Sequence, residues 1–273
     1  MSIPIVVIHK GAQPYVEKAL QITRRTNNLV YLLGDDSNTH FAKTCDIQHV
    51  SIKSLEVSKE QTDFIKKFVN YSTNPHDYEL VCFLRVFWIG AFMKQYKYDK
   101  IFHLDSDCIL LHDINTYKFT SDIAYIVNSN FENPFRMSSS IHSALLNIEF
   151  VTKFIQLCND IYINKSKFKL IEKKINHHKN NKIPGGICDM TLYYLLVQDG
   201  LKVQPLNIET DGFVFINNIN GAEGPDSREQ YEKDGPYIHI FDGNRIFDNK
   251  NDRYIKIFSI HFQGGAKHLI SSY

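Results

Sequence analysis

Apolar residues in this chain come in short runs broken by polar turns, and their spacing switches between the strand and helix periods. Residues 3–9 form a near-continuous apolar strand, closed by a turn at Lys10-Gly11-Ala12-Gln13-Pro14. Pro14 suits the first turn of a helix over 15–25, because its missing N–H is one a helix start leaves free anyway. A second strand at 28–33 ends in Gly34-Asp35-Asp36-Ser37-Asn38. A short helix at 39–44 and a third strand at 47–50 follow. This β-α-β-α-β order predicts a mostly parallel sheet with right-handed crossovers, whose ligands sit at the carboxyl ends of its strands.

Residues 59–70 show helical spacing, with Phe64, Ile65, Phe68 and Val69 on one side. Residues 79–96 form the longest helix, apolar almost all round and therefore buried on most faces. Arg85 lies inside that apolar surface, and a buried guanidinium needs an anionic partner, either a structural aspartate or a site ligand. Two four-residue apolar runs, 101–104 and 108–111, read as strands around Asp105-Ser106-Asp107. Further on, 123–127 is a strand and 128–140 a loop. Residues 142–147 fit either period, and 149–163 is a helix. Residues 164–182 carry seven lysines against one acidic residue, Glu172, and read as a solvated mobile insertion with a short helix around 168–175. A lid, or a patch for an anionic acceptor, is the functional alternative. Gly185 and Gly186 precede a helix at 190–198, with Asp189 at its cap or first turn. Strands are expected at 203–207, 213–217, 237–241 and 254–259, with a loop at 224–227. No linker or repeat is visible, so one domain spans 1–273.

The 273 residues are 43% apolar and 22% charged, with a net charge of +1. That excludes bulk attraction to nucleic acid or an anionic membrane. No apolar run is long enough to cross a bilayer. The N-terminus runs straight into a strand with no leader-like segment, and five cysteines without a C-x-x-C pair suit a reducing compartment, so a cytoplasmic protein is expected.

The chemistry concentrates at two places. Asp105 and Asp107 project to the same side of an extended backbone, where two like charges repel unless a cation lies between them. A hard divalent ion, Mn²⁺ or Mg²⁺, meets that need; an acidic turn is the structural alternative. At the other end of the chain, His261 leaves a strand, Gly264 opens a turn and Lys267 follows. An imidazole for a first-row metal beside an ammonium and a glycine N–H for phosphate would supply a metal and diphosphate site.

Taken in order, these blocks resemble the GT-A glycosyltransferases, nearest to retaining families 8 and 32. RVFWIGAFMKQYKYDKIFHLDSDCILLHDI is similar to their Arg-helix-strand-DxD block, and GGICDMTLYYLL to their Gly-rich turn with an Asp opening a helix. The resemblance implies a GT-A, Rossmann-like α/β fold with a mostly parallel sheet flanked by helices. Residues 1–127 would be the nucleotide-binding half including the DxD motif. Residues 128–273 would supply the acceptor half and the C-terminal metal and diphosphate segment. It implies a hexosyltransferase using a nucleotide sugar, UDP-hexose first, and a glycan or glycoconjugate acceptor. Asp105, Asp107 and His261 would hold the metal, with Asp105 and Ser106 also against the donor. His9, Lys10, Gly11 and Asp35 or Asp36 would lie near the uridine. Arg85, Asp189, Gly185 and Gly186 would face the sugar, and Gly264 and Lys267 the diphosphate. Catalysis would fall to Asp189, Arg85 and Lys267.

Other readings compete. Haloacid-dehalogenase phosphatases also place Asp-x-Asp after a strand, but after the first strand and with Thr or Val two residues on, where this chain has Ile109. A nucleotidyltransferase would need a Gly-rich N-terminal phosphate loop. A catalytically inactive sugar-nucleotide-binding module would keep the fold and lose metal ligands.

Overall fold

The computed structural model describes residues 2–128, 133–220 and 230–273; the loop expected at 224–227 and part of that at 128–140 lie outside them. The chain opens as expected. Strand β1 (Ile5–Ile8) leads to helix α1 (Pro14–Thr26), β2 (Val30–Gly34), α2 (Phe41–Thr44) and β3 (Gln48–Ser51). Then come α3 (Lys59–Lys67), α4 (His76–Tyr96), β4 (Lys100–Asp105), β5 (Cys108–Leu110) and β6 (Ala124–Val127). The ambiguous stretch resolves as β7 (Ser139–Asn147), which takes in the end of the expected loop. It is followed by α5 (Ile148–Cys158), α6 (Lys169–Asn180) and α7 (Asp189–Gln198). The rest is strand: β8 (Gln204–Pro205), β9 (Phe213–Ile216), β10 (Lys233–Asp234), β11 (Tyr237–Ile238), β12 (Arg245–Asp248) and β13 (Arg253–His261). Gly264–Ser272 closes the chain as 3₁₀ helix.

The main sheet has the order β3-β2-β1-β4-β7-β6-β8. Every pairing in it is parallel except those of β7, which runs against β4 and β6. Strands β1 and β2 are buried on both faces, as continuous apolar runs require. Strand β1 has β2 on one side and β4 on the other, so the connections reverse direction at the β1–β4 boundary. The crevice beyond the carboxyl ends of strands opens at such a point. Register places Ile8 beside Asp105, which brings the loop after β1 against Ser106.

The second sheet is built on β13, which pairs antiparallel with β12 and β5 and parallel with β9. The β5–β13 register sets His261 opposite Cys108, and the Phe262 N–H donates to the Asp107 carbonyl at 2.9 Å. The sheets are tied behind this point by Ser143 and Ser259, whose buried hydroxyls lie 2.8 Å apart. The C-terminal metal-ligand candidate thus reaches the Asp-Ser-Asp turn by strand pairing. Helix α4 packs most of its circumference into the core, including fully buried Phe83, Val86, Ile89 and Phe92.

The lysine-rich segment corrects the expectation of a mobile insertion. Residues 169–180 form a docked helix. Phe168, Ile171 and Ile175 repeat at helical spacing and pack on the core, with Ile171 fully buried. Lys174, on the same face, is also buried. Its ammonium donates to the Arg136 carbonyl (2.7 Å), the Met137 carbonyl (3.3 Å) and Thr191 Oγ1 (2.9 Å). Three acceptors satisfy three donors, which is what lets a lysine stay inside. Replacing Lys174 with alanine strands those acceptors and is expected to cost about 1–3 kcal/mol. Amide exchange over 169–180 should accelerate in that variant; wild-type protection there would show that the strut is unimportant.

Candidate active site

Arg85 is the centre of the charged cluster. It leaves α4 and grips two carboxylates: Nη1 donates to Asp105 Oδ1, and Nη2 to Asp189 Oδ2 at 2.7 Å. The arginine, about three turns before the end of α4, thereby ties the end of β4 to the start of α7. His103 adds a contact of 3.1 Å to Asp105 Oδ1, its other ring nitrogen resting 3.0 Å from the Val6 carbonyl. Burial alone pushes the Asp105 carboxyl up; Arg85 first, then His103 and His261, outweigh this and hold it well below the usual carboxylate range. Asp189 is 3% exposed and fully engaged: Oδ2 also accepts from the Tyr193 hydroxyl at 3.0 Å, and Oδ1 from the Met190 N–H at 2.8 Å.

A second group forms on Asp107. His261 Nε2 lies 3.5 Å from its Oδ1, and Lys267 Nζ lies 3.2 Å from its Oδ2 and 4.9 Å above the Tyr15 ring. His261 Nδ1 donates to the Asn217 carbonyl at 2.7 Å, which fixes the tautomer and leaves Nε2 facing Asp107. His142 stacks on the same ring at 4.2 Å. Burial pushes the Asp107 carboxyl up, but the hydrogen bond and charge of His261, then Lys267, pull it down on balance. The same contacts raise His261 and Lys267 against their own burial.

The donor set suits a hard first-row cation. A carboxylate and an imidazole Nε2 with its tautomer already set converge at one point, and among the described residues Asp107, Cys108 and His261 are the trio whose ligand atoms all lie within 4.8 Å of one another. Burial holds the Cys108 thiol well above its ordinary pKa, so it is a neutral neighbour and not a thiolate ligand. Asp105, the other expected ligand, stands next to the trio, with Oδ1 bound by Arg85 and His103.

Two clefts meet on these residues. The larger, about 450 Å³, reaches Glu79, Asp189 and His261. The smaller, about 260 Å³, is lined by His9, Lys10, Tyr15, Ser106 and Lys267. Tyr78, Cys82, Arg85, Asp105 and Asp107 line both. His9 Nδ1 lies 2.9 Å from Ser106 Oγ, and burial lowers the imidazole's pKa.

Other expected residues fall differently. Gly11 N–H donates to Asp35 Oδ2 at 3.1 Å, and Asp35 also caps the short 3₁₀ turn that follows it, so both shape the loop behind the smaller cleft without lining it. Asp36 turns to the surface and pairs with Lys53 at 2.6 Å. Gly185 and Gly186 do line the larger cleft, but the need for glycine at 186 comes from a backbone strap. Its φ is +135°, and an added Cβ would overlap the Tyr71 carbonyl oxygen. Ser72 bridges Gly186, and Thr73 N–H donates to the Gly185 carbonyl at 3.0 Å. Gly264 has φ +61° and opens the 3₁₀ helix that carries Lys267. Asn217, His142 and Glu79 escaped the sequence reading. Only Glu79 left a signal: it is a carboxylate six residues before Arg85, in the first turn of an apolar helix.

Fold and site together define a GT-A architecture: a mostly parallel sheet whose strand-end Asp-Ser-Asp faces a C-terminal histidine and lysine. No protein-family model and no curated protein matches the chain. Solved structures share its fold. Mouse xyloside xylosyltransferase 1 in its apo form is 12% identical, over 76% of this chain and 86% of that one, at a TM-score of 0.51. An active-site mutant of LgtC is 14% identical over 99% of this chain and 95% of that one, also at 0.51. Among the described residues, no helix is long and apolar enough to cross a membrane.

Proposed function

We propose that this chain is a metal-dependent glycosyltransferase that moves a hexose from a nucleotide sugar, with UDP the first choice, to a hydroxyl of a glycan or glycoconjugate. The observation that carries this reading is the meeting of two clefts on Arg85, Asp105 and Asp107. A nucleotide sugar is itself bipartite, with a charged diphosphate between base and sugar. The smaller cleft suits the nucleoside, against His9, Lys10 and Ser106. The shared wall suits the diphosphate, and the larger cleft suits the sugar and the acceptor.

Asp107 and His261, with Asp105 beside them, would hold Mn²⁺ or Mg²⁺, which when bound supplies positive charge to a departing diphosphate. Lys267 and the N–H groups opening the 3₁₀ helix at Gly264 serve the same oxygens. Arg85 orients Asp189 against the sugar. In the transfer, the bond from the anomeric carbon to the diphosphate breaks, the acceptor oxygen bonds to that carbon, and the acceptor proton passes to the leaving diphosphate. This route favours retention. An inverting enzyme needs a free carboxylate on the far face of the sugar, and Asp189, the residue best placed for it, spends its oxygens on Arg85, Tyr193 and the Met190 N–H. The likeness of the fold to a xylosyltransferase agrees with a transferase. The phosphatase reading needs Asp105 as a free nucleophile, and its Oδ1 is bound by Arg85 and His103.

A panel of sugar nucleotides with Mn²⁺, scored by thermal shift and by hydrolysis, tests the function. One uridine-linked hexose should raise Tm and be hydrolysed slowly, and EDTA should remove both effects. Binding without turnover on any acceptor or water would leave a binding module; phosphomonoester hydrolysis would restore the phosphatase. The stereochemistry has its own check. Proton NMR of fresh product from an α-linked donor should show an α anomer, and a β anomer would overturn retention.

A further inference from the structure

Glu79 is a buried titratable group that the proposed transfer leaves without a task. It lies in the first turn of α4, is 1% exposed and lines the larger cleft. Oε1 accepts from Asn74 Nδ2 at 2.6 Å, while Oε2 has no hydrogen-bond partner among the described residues. No salt bridge reaches it among those residues, because Arg85 is committed to Asp105 and Asp189. A buried carboxyl oxygen left unmatched is costly, and the cost is recovered when a ligand supplies the missing partner.

The wall around it is stiff. Residues 71–74 are strapped to 185–187 by the Ser72–Gly186 bridge, the Thr73 and Ile187 N–H bonds, and the bond from Gly185 N–H to Thr73 Oγ1 at 2.8 Å. Asn74 is held in turn, its carbonyl accepting from Asn70 Nδ2 at 2.7 Å and its N–H donating to Ser72 Oγ at 3.1 Å. Glu79 shares the cleft-facing side of α4 with Tyr78, Cys82 and Arg85. The carboxyl is therefore held at a fixed position in the wall of the cleft assigned to the sugar.

We propose that Glu79, held by Asn74, is a specificity-determining residue that reads one hydroxyl of the transferred sugar. This rests on the sugar-nucleotide reading of the cleft. A hydroxyl fits because it both donates and accepts, and it can meet the open carboxyl oxygen in either protonation state. Burial raises the Glu79 carboxyl and the Asp189 charge adds to it, while Asn74, the Ser72 hydroxyl and the Arg85 charge offset this in part, so a proton is retained more readily than on an exposed glutamate. An anionic group is a poor match, because Asp105 and Asp189 face the same cleft.

The test is a cycle of donor analogues against variants. Calorimetry would give Kd in Mn²⁺ for the best sugar nucleotide of the panel and for its monodeoxy analogues, each relative to UDP alone. In the wild-type protein one deoxy analogue should bind about 10- to 100-fold more weakly than the parent, the loss expected when a buried partner is left unpaired. In E79A that difference should vanish, with parent and analogue equally weak. E79Q keeps the shape and one donor-acceptor pair, guards against a folding artefact and should restore part of the discrimination. Wild-type discrimination at every hydroxyl in E79A and E79Q would overturn the proposal. So would an E79Q protein that binds all analogues as wild type does yet turns none over, which would make Glu79 a general base. If no sugar nucleotide binds the wild-type protein, the functional reading falls together with the subsite.

Discussion

Replacing Arg85 with alanine should lower the unfolding free energy by about 3–5 kcal/mol, the range for removing one member of a buried ion pair. The guanidinium joins Asp105 and Asp189, side chains of which 23% and 5% are exposed. Without it two carboxylates face each other across the cleft with no cation between them, and each is worse solvated than in the unfolded chain. Arg85→Lys should recover only part, because an ammonium is a point charge and cannot hold two carboxylates in one planar fork. Arg85→Ala combined with Asp189→Asn should be more stable than Arg85→Ala alone, since it removes one stranded charge. Denaturant midpoints measure all three. An Arg85→Ala protein that unfolds at the wild-type midpoint would mean that water already screens the cluster.

The second large effect is on turnover. Asp107→Asn should reduce metal-dependent turnover by about 100- to 1,000-fold, the scale of losing one preorganised transition-state contact. The amide is nearly isosteric, so β5 and its pairing with β13 stay in place. It cannot neutralise a cation, and it no longer orders both His261 and Lys267. The loss should fall mainly on kcat, because charge on the diphosphate develops as the bond breaks. Unchanged kcat and unchanged Mn²⁺ dependence would remove Asp107 from the metal assignment.

Much of this was legible along the chain because it is local. Strands β1 and β2 are continuous apolar runs, so they and the parallel sheet could be read from periodicity. Arg85 stood out as a charge inside the apolar surface of a helix, and its partners are Asp105 and Asp189. Partnering across the sheets was not legible. That His261 meets Asp107 depends on the β5–β13 register, and that Asn217 sets its tautomer depends on the position of the segment after β9. The lysine-rich segment misled because five exposed lysines and one half-buried lysine masked one buried one. The period of Phe168, Ile171 and Ile175 was the better guide than charge. Strand β12 was missed because Arg245–Asp248 alternates over only four residues and is ordered by pairing with β13.

In the proposed complex one nucleotide sugar spans both clefts across the Asp105–Asp107 wall, with its nucleotide in the smaller. A crystal structure of the protein with UDP and Mn²⁺ tests it most directly. Uridine is expected against His9 and Lys10, diphosphate beside Lys267, and an ion touching Asp107 Oδ and His261 Nε2. Nucleotide bound elsewhere, or an ion held without Asp107 and His261, would contradict it.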